Sequence, residues 1–392
     1  MNGVFLAAWF VASAGVAKLL AIAENVIHGF GLRRPILQRI RTAHNVLLFS
    51  YPIWLGYSLG LTGPQLLWQD SWATVGPFGW AALIVGWIGF AVLVLKTIRY
   101  QLYRPPVCEV DRQVRVVDVE ARYPDEVIGD GRAKWLARLP RNQQFTVEVN
   151  EKTFVLPRLP KAWDGLSIVH FSDVHFRGPV TRRYFEAVAD EALSLHGDLI
   201  AFTGDLLDKR ECLNWVPQTL GRLSAPLGCY FVLGNHDWYL GIDADIRAAL
   251  QRHGWTDLAG RVVSVARNDV PLNLCGTERP WMGVAPDLSK CDASSFKLLL
   301  SHGPDQIHWA QRHGIDVMLA GHTHGGQIRL PILGPVYAPS VYDCRYASGE
   351  FWEPPTLLHV TRGLSGREPI RYNCRPELTK LILRSAAESS PR

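Results

Sequence analysis

The sequence has little cysteine and uses it without pattern. Its seven cysteines, an odd number with no C-x-x-C pair, exclude a disulfide framework and fit a reducing compartment better than an oxidising one. Excess basic charge is missing where nucleic acid would need it. Residues 101–392 hold 34 Lys or Arg against 34 Asp or Glu, so the net +5 belongs wholly to the first hundred residues. No nucleic-acid partner is expected from that balance. There is no internal repeat, and no low-complexity stretch apart from the polar tail. At 392 residues, 48% of them hydrophobic, the chain is too long for one ordinary domain and too apolar for a disordered one.

Charge is absent altogether from two long runs. Residues 71–95 contain no Asp, Glu, Lys or Arg over 25 positions; residues 42–69 contain none over 28, with Pro52 and Gly56 interrupting. A span takes ~20 apolar residues, and membrane helices tolerate such interruptions. Residues 1–23 carry one charge, Lys18. They read either as a cleaved signal peptide or as a first span with Lys18 near the membrane surface. The second fits better, because the charge sits at the wrong end for a signal peptide. Three spans, near 4–23, 45–66 and 74–95, are therefore expected within a membrane region 1–100. Six of the fourteen Trp fall there, as interfacial residues would. Arg33, Arg34, Arg39 and Arg41 follow the first span, and Lys96, Arg99 and Arg104 follow the last. The loop 62–77 has no base. Positive-inside logic places everything after Lys96 in the cytoplasm.

Residues 101–165 read as a β-rich lead-in. Gln113–Tyr123 alternates like a half-exposed strand, and 145–149 with 153–156 reads as a hairpin turning at Asn150-Glu-Lys152. A catalytic domain, 166–385, follows, with a tail at 386–392. Buried strands are expected at 166–171, 198–203, 229–233, 296–300 and 316–320, alternating with helices at 181–195, 213–223, 242–253 and 306–312. That order argues for an α/β fold with a largely parallel sheet and helices outside. Ligands then gather beyond the carboxyl ends of the strands.

The chemistry stands at those ends. After successive strands come Asp173-Val-His175, Gly204-Asp205, Gly234-Asn-His-Asp237, Ser301-His302-Gly303 and Gly321-His-Thr-His-Gly-Gly326. In extended chain, positions i and i+2 point the same way, so Asp173 with His175, and His322 with His324, reach one cavity. Glycines let the backbone come close to a ligand. Seven N/O donors exceed what one ion with an open position needs. They suit two ions sharing a bridging carboxylate. Mixed imidazole, carboxylate and amide donors favour Mn, Fe, Zn, Co or Ni over Mg or Ca. Taken singly, each motif is an ordinary turn; the ordered set behind five strands is what carries the reading. His170 reads as a core or supporting residue, and His196, His253, His308, His313 and His359 as surface or packing residues.

The set Asp173-x-His175, Gly204-Asp205, Gly234-Asn-His-Asp237, His302 and Gly321-His-x-His324 resembles the calcineurin-like metallophosphoesterase superfamily. Phe171-Ser-Asp-Val-His175, Leu319-Ala-Gly-His-Thr-His-Gly-Gly-Gln327 and Thr361-Arg-Gly-Leu364 resemble its membrane-anchored bacterial YkuE/YaeI-like branch. The resemblance covers roughly residues 145–385. It implies a metallophosphoesterase β-sandwich flanked by helices, in four layers α/β/β/α. It also implies that Asp173, His175 and His324 hold one ion, Asn235, His302 and His322 hold the other, Asp205 bridges them, and catalytic His236 sits over the substrate phosphate. Gly303, where many relatives have Asn, and Gly276-Thr-Glu-Arg279, where they often carry Asp, depart from the pattern at positions that are not ligands.

The function expected is hydrolysis of a phosphate ester or anhydride by a hydroxide bridging two metal ions. The protein would be a multi-pass membrane protein of the bacterial inner membrane, in contact with lipids, and its substrate is open between a lipid-linked phosphate and soluble nucleotides. Asp237 reads equally as a partner of His236 or as a turn residue, and the loop Pro331–Arg345 as a cover for the site. A non-catalytic membrane scaffold is the rival, disfavoured because all seven ligands are present.

Overall fold

The computed structural model describes residues 3–59, 72, 75–131 and 134–386. Asp70, most of the loop 62–77, residues 60–66 of the expected second span and the tail from 387 lie outside the described residues. The chain divides into two compact units. One is Met1–Arg104 with Leu330–Asp343; the other is Pro105–Arg329 with Cys344–Arg392.

The first unit is helical: α1 (Gly3–His28), α2 (Arg34–Ser58) and α3 (Pro77–Gln101). Among the described residues, α1 and α3 are long and apolar enough to cross a membrane, which is consistent with a membrane protein. They pack closely through small residues. A Cβ on Gly15 would run into the Gly86 backbone, and one on Gly86 into Ala12. Such close approach is how helices associate in lipid, where burying apolar surface gives no drive. Phe10, Phe49, Ile53, Ile84 and Ile88 point outward. Lys18 is buried, with Nζ 3.2 Å from Asp343 Oδ2. Lys96 Nζ reaches the same oxygen at 2.7 Å, and Asn25 donates to Asp343 Oδ1 at 2.5 Å. The loop read as a cover for the site is thus held through Asp343 to α1 and α3.

The second unit holds two sheets. Their strands in chain order are β1 (Glu109–Asp118), β2 (Thr146–Leu156), β3 (Leu166–Phe171), β4 (Leu199–Phe202), β5 (Cys229–Phe231), β6 (Trp255–Asp257), β7 (Val262–Arg267), β8 (Val270–Thr277), β9 (Phe296–Ser301), β10 (Val317–Ala320), β11 (Gly349–Glu353), β12 (Thr356–Val360) and β13 (Glu377–Ser385). The first sheet runs β1-β2-β13-β3-β4-β5-β6 and the second β11-β12-β10-β9-β8-β7. Strands β3 to β6 are mutually parallel, as are β8, β9, β10 and β12.

Leu166, Ile168, Leu199, Ala201, Leu298, Leu300, Val317 and Leu319 fill the space between the sheets. Each fully buried aliphatic side chain there favours folding by ~1.5–3 kcal/mol. The alternate residues Val169, Phe171, Ile200 and Phe202 face outward, against Tyr184, Phe185 and Val188 of α4 (Arg182–Ser194). Runs such as Leu166–Phe171 are apolar nearly throughout because both faces of the strand are covered.

The expected hairpin at 145–156 is one continuous strand, β2. Its polar centre, read as a turn, is a buried ion cluster. Lys152 Nζ lies 2.7 Å from Glu350 and 2.9 Å from Glu377, and Asn150 donates to Glu377 at 2.8 Å. His359, expected at the surface or in packing, is fully buried in this cluster, with Nδ1 3.0 Å from Glu350 Oε1. His170 is buried too, with Nε2 2.9 Å from Thr203 Oγ1.

Candidate metal centre

Each candidate residue follows the carboxyl end of a buried strand. Asp173 and His175 follow β3, Asp205 follows β4, Asn235 and His236 follow β5, His302 follows β9, and His322 and His324 follow β10. Asp173, His175, Asp205, His322 and His324 have φ between 49° and 70°. L-residues rarely adopt that region, and such strain concentrates at functional sites. Left-handed backbone at Asp173 and His175, rather than the extended chain expected, aims their side chains inward. Small neighbours make room for this. A Cβ on Gly234 would collide with Asp205 Oδ1, and one on Gly321 with Asp173 Oδ2.

The ligand atoms of Asp173, His175, Asp205 and His324 lie within 4.8 Å of one another, and so do those of Asp205, His302 and His322. Asp205 belongs to both groups. Asn235 joins the second, its Oδ1 3.1 Å from His302 Nε2. His322 and His324, two positions apart, thus go to different groups. Both carboxylate oxygens of Asp173 accept the His322 backbone N–H, at 3.1 and 3.0 Å. His302 Nδ1 faces Thr203 O at 2.7 Å, and His324 Nδ1 faces Ser365 O at 3.1 Å. Those carbonyls fix the rings and free each Nε2 to be a ligand.

Several buried atoms here have no hydrogen-bond partner: both ring nitrogens of His175, Asp205 Oδ2 and His322 Nε2. Leaving a buried donor or acceptor unsatisfied costs ~1–3 kcal/mol each. A divalent cation would satisfy the two of these that face each other, His175 Nε2 and Asp205 Oδ2, 3.5 Å apart, so the donor set fits the metal that its chemistry implies. Electrostatics agree. Burial pulls the His302 imidazole down, but Asp205 and Asp173 hold it up at about 9. Burial likewise opposes charge on His175, which Asp208, Asp205 and Asp173 hold up at about 9. Burial, then neighbouring imidazoles, push His322 and His324 well below the usual range. Burial disfavours the Asp205 carboxylate too, yet His302 and its neighbours hold it well below the usual carboxylate range.

A third group, His175, Asp208 and His236, adjoins these. The sequence reading passed over Asp208. Its Oδ1 lies 2.5 Å from His236 Nδ1 and its Oδ2 3.4 Å from His175 Nδ1. Burial works against its charge, but the His175 and His236 imidazoles hold the carboxyl well below the usual range. The available signal was the second Asp of Gly204-Asp-Leu-Leu-Asp208. Asp237 resolves to the turn role. It accepts the backbone N–H groups of Asp205, Leu206, Leu207 and Gly234 at 3.0–3.1 Å, tying the β4 and β5 turns together.

Trp281 also went unread. Its ring lies 5.2 Å from that of His302 and 4.7 Å from that of His322. A Cβ at Gly303 would stand 3.4 Å from this indole, in ordinary van der Waals contact. Glu278, in the other departing segment, is buried and binds Arg247 at 2.6 Å and the Leu233 N–H at 2.6 Å.

Comparison with known proteins gives this arrangement its relatives. The family model described as calcineurin-like phosphoesterase matches residues 166–326. The uncharacterized metallophosphoesterase YkuE of Bacillus subtilis (strain 168) is 30% identical over 266 residues, 66% of this chain and 90% of that one. Phosphodiesterase YaeI of Escherichia coli (strain K12) is 30% identical over 220 residues, 55% of this chain and 81% of the relative. The UDP-2,3-diacylglucosamine pyrophosphatase LpxG of Chlamydia muridarum (strain MoPn / Nigg) is 28% identical over 282 residues, covering 56% and 85%. With its strand-end Asp and His residues gathered around a cluster fit for divalent metal, the chain belongs to the calcineurin-like metallophosphoesterase family and is a hydrolase of phosphate esters.

Proposed function

We propose that this enzyme works with two divalent transition-metal ions, one held by Asp173, His175 and His324 and the other by Asn235, His302 and His322, with Asp205 shared. The supporting observation is Asp205, which is common to both ligand groups and whose Oδ2 accepts no hydrogen bond but stands 3.5 Å from His175 Nε2 and 3.4 Å from His302 Nε2. Mn, Fe, Zn, Co and Ni all suit the mixed donors. When bound, such ions polarise phosphoryl oxygens and acidify the attacking water.

The protein's own part is to place and to stabilise. His236 stands beside His175, ring centres 4.6 Å apart, and outside both metal groups. With Nδ1 held by Asp208, its Nε2 is free to meet the phosphate. There it stabilises charge developing on the leaving oxygen, or gives that oxygen a proton. The burial of Asp173, Asp205, His302 and His322 strengthens every such interaction by excluding water.

The substrate we favour is a lipid-linked phosphate met at the cytoplasmic face of a bacterial inner membrane by a multi-pass protein. Two apolar helices support it, and so does a relative named for cleaving UDP-2,3-diacylglucosamine. An anchored site gains most from a substrate confined to the same thin layer. The deciding experiment compares full-length, Mn-loaded protein in micelles on bis-p-nitrophenyl phosphate, nucleotide anhydrides and lipid diphosphates. Good turnover of the soluble compounds with none of the lipids would end the lipid reading. No turnover of any of them, with metal bound, would count against the role given to the site.

A further inference from the structure

Arg371 is completely buried, and among the described residues no carboxylate pairs with it. A buried charge without a counter-ion is costly. What its guanidinium does instead is bind carbonyls. Nη1 donates to Arg362 O at 2.7 Å and to His324 O at 3.4 Å, and Nη2 donates to Ser365 O. All three acceptors belong to two short loops, the one that follows β10 and the one that follows β12.

Those loops build one of the two ligand groups. Ser365 O is also the partner of His324 Nδ1, at 3.1 Å. Ser365 N donates to Asp173 O at 2.9 Å, and Leu364 N to Ser172 O at 3.0 Å. Gly363 lies directly against the Asp173 side chain, where a Cβ would clash. Arg371 is itself fixed, because its N–H donates to Asn142 Oδ1 at 2.9 Å and its O accepts from Gln143 N at 2.8 Å. The residue thus grips the carbonyl that orients His324 and, through Ser365, the backbone that carries Asp173. His324 Nε2 and Asp173 Oδ1 stand 3.5 Å apart across the place where an ion fits. None of these contacts involves Asn235 or His302, and His322 enters only through its backbone N–H on Asp173, not through its ring.

We propose that Arg371 is a positioning residue for one metal site only: its guanidinium fork staples the two loops and so sets His324 against Asp173. The role rests on the two-ion reading above. A planar fork with donors on two fixed nitrogens suits this task, whereas an ammonium presents its three donors from a single atom on a flexible stem. Residues that orient metal ligands commonly contribute 10–100-fold to affinity.

The test is Mn(II) titration of full-length wild type, Arg371→Met and Arg371→Lys, followed by equilibrium dialysis and by the EPR signal of coupled Mn pairs. In Arg371→Met one ion is expected to weaken by about 10–100-fold while the other keeps its affinity. The coupled signal should give way to a mononuclear one, and turnover should recover as Mn is raised. Arg371→Lys should fall between. It keeps the charge and most of the volume, so it carries the comparison if Arg371→Met does not fold. Wild-type affinity for both ions in a folded variant overturns the proposal. So does equal weakening of both ions, which is what a merely structural role would produce. A wild type that takes up a single ion refutes the two-ion reading instead; Arg371 then falls only if that ion binds Arg371→Met as tightly.

Discussion

Asp208 Oδ1 and His236 Nδ1 lie 2.5 Å apart, and the other oxygen of the same carboxylate stands 3.4 Å from His175 Nδ1. One side chain therefore links the proposed phosphate-facing histidine to a metal-ligand candidate. His236→Ala should lower turnover by ~10²–10⁴ with metal content near wild type. Asp208→Asn should lower it as well, and the double variant should lose less than the two single losses combined, because the two side chains are coupled. Fully additive losses in the double-mutant cycle would refute the pairing.

Asp205 is shared by both ligand groups. Asp205→Asn should therefore deplete both ions, whereas His324→Ala should deplete mainly one. Elemental analysis after Mn reconstitution measures this directly. Wild-type protein that holds no metal would remove the two-ion proposal.

Metal uptake should release protons. Against burial, Asp208, Asp205 and Asp173 hold His175, and Asp205 and Asp173 hold His302, up at about 9, so both are expected to be doubly protonated imidazolium at pH 7.5 in the metal-free protein. A metal needs the neutral imidazole. Affinity should accordingly rise with pH up to about 9 and fall in acid. Calorimetry in buffers of different ionisation enthalpy reads the proton count; heats independent of the buffer would contradict the assignment.

The Lys152–Glu350–Glu377 cluster should make stability depend on pH. Burial opposes charge on both glutamates, but Lys152 and, for Glu377, Arg362 hold them well below the usual range. Carboxylates depressed in the folded state stabilise it above the unfolded value near ~4.3, and this is lost as pH falls through the folded values. Lys152 is raised, so its share is lost at high pH as the ammonium deprotonates. Glu350→Ala leaves a buried cation short of a partner and should cost ~3–5 kcal/mol at pH 7. In denaturant melts the deficit should shrink below about pH 4.

A reporter fused at residue 105 should read as cytoplasmic, given Arg33, Arg34, Arg39 and Arg41 at the start of α2 and Lys96, Arg99 and Arg104 at and just beyond the end of α3. Alkaline-phosphatase activity there would reverse the topology. A membrane-free version should begin at residue 105, ahead of β1, because β1 pairs with β2 along Glu109–Asp118.

Much of this protein was determined by its sequence alone. The strands 166–171 and 296–301 are legible because they are apolar nearly throughout, and that composition is stable only where both faces are covered. The ligands are legible because Asp, Asn and His cannot extend such a strand unpaired, so their place just past five strand ends announces a site. Tertiary structure decided everything that depends on a partner distant in sequence. Asn150-Glu-Lys152 looks like a turn until Glu377 and Glu350 arrive from β13 and β11 to satisfy it inside a strand. Asp343 looks like a loop residue until Lys18 and Lys96 meet it. His322 and His324 look like a pair until left-handed backbone at each sends them to different ligand groups. Periodicity and local chemistry act over a few residues and can be read along the chain. Burying a charge requires a counter-charge or a carbonyl, and only the folded chain determines which one is near.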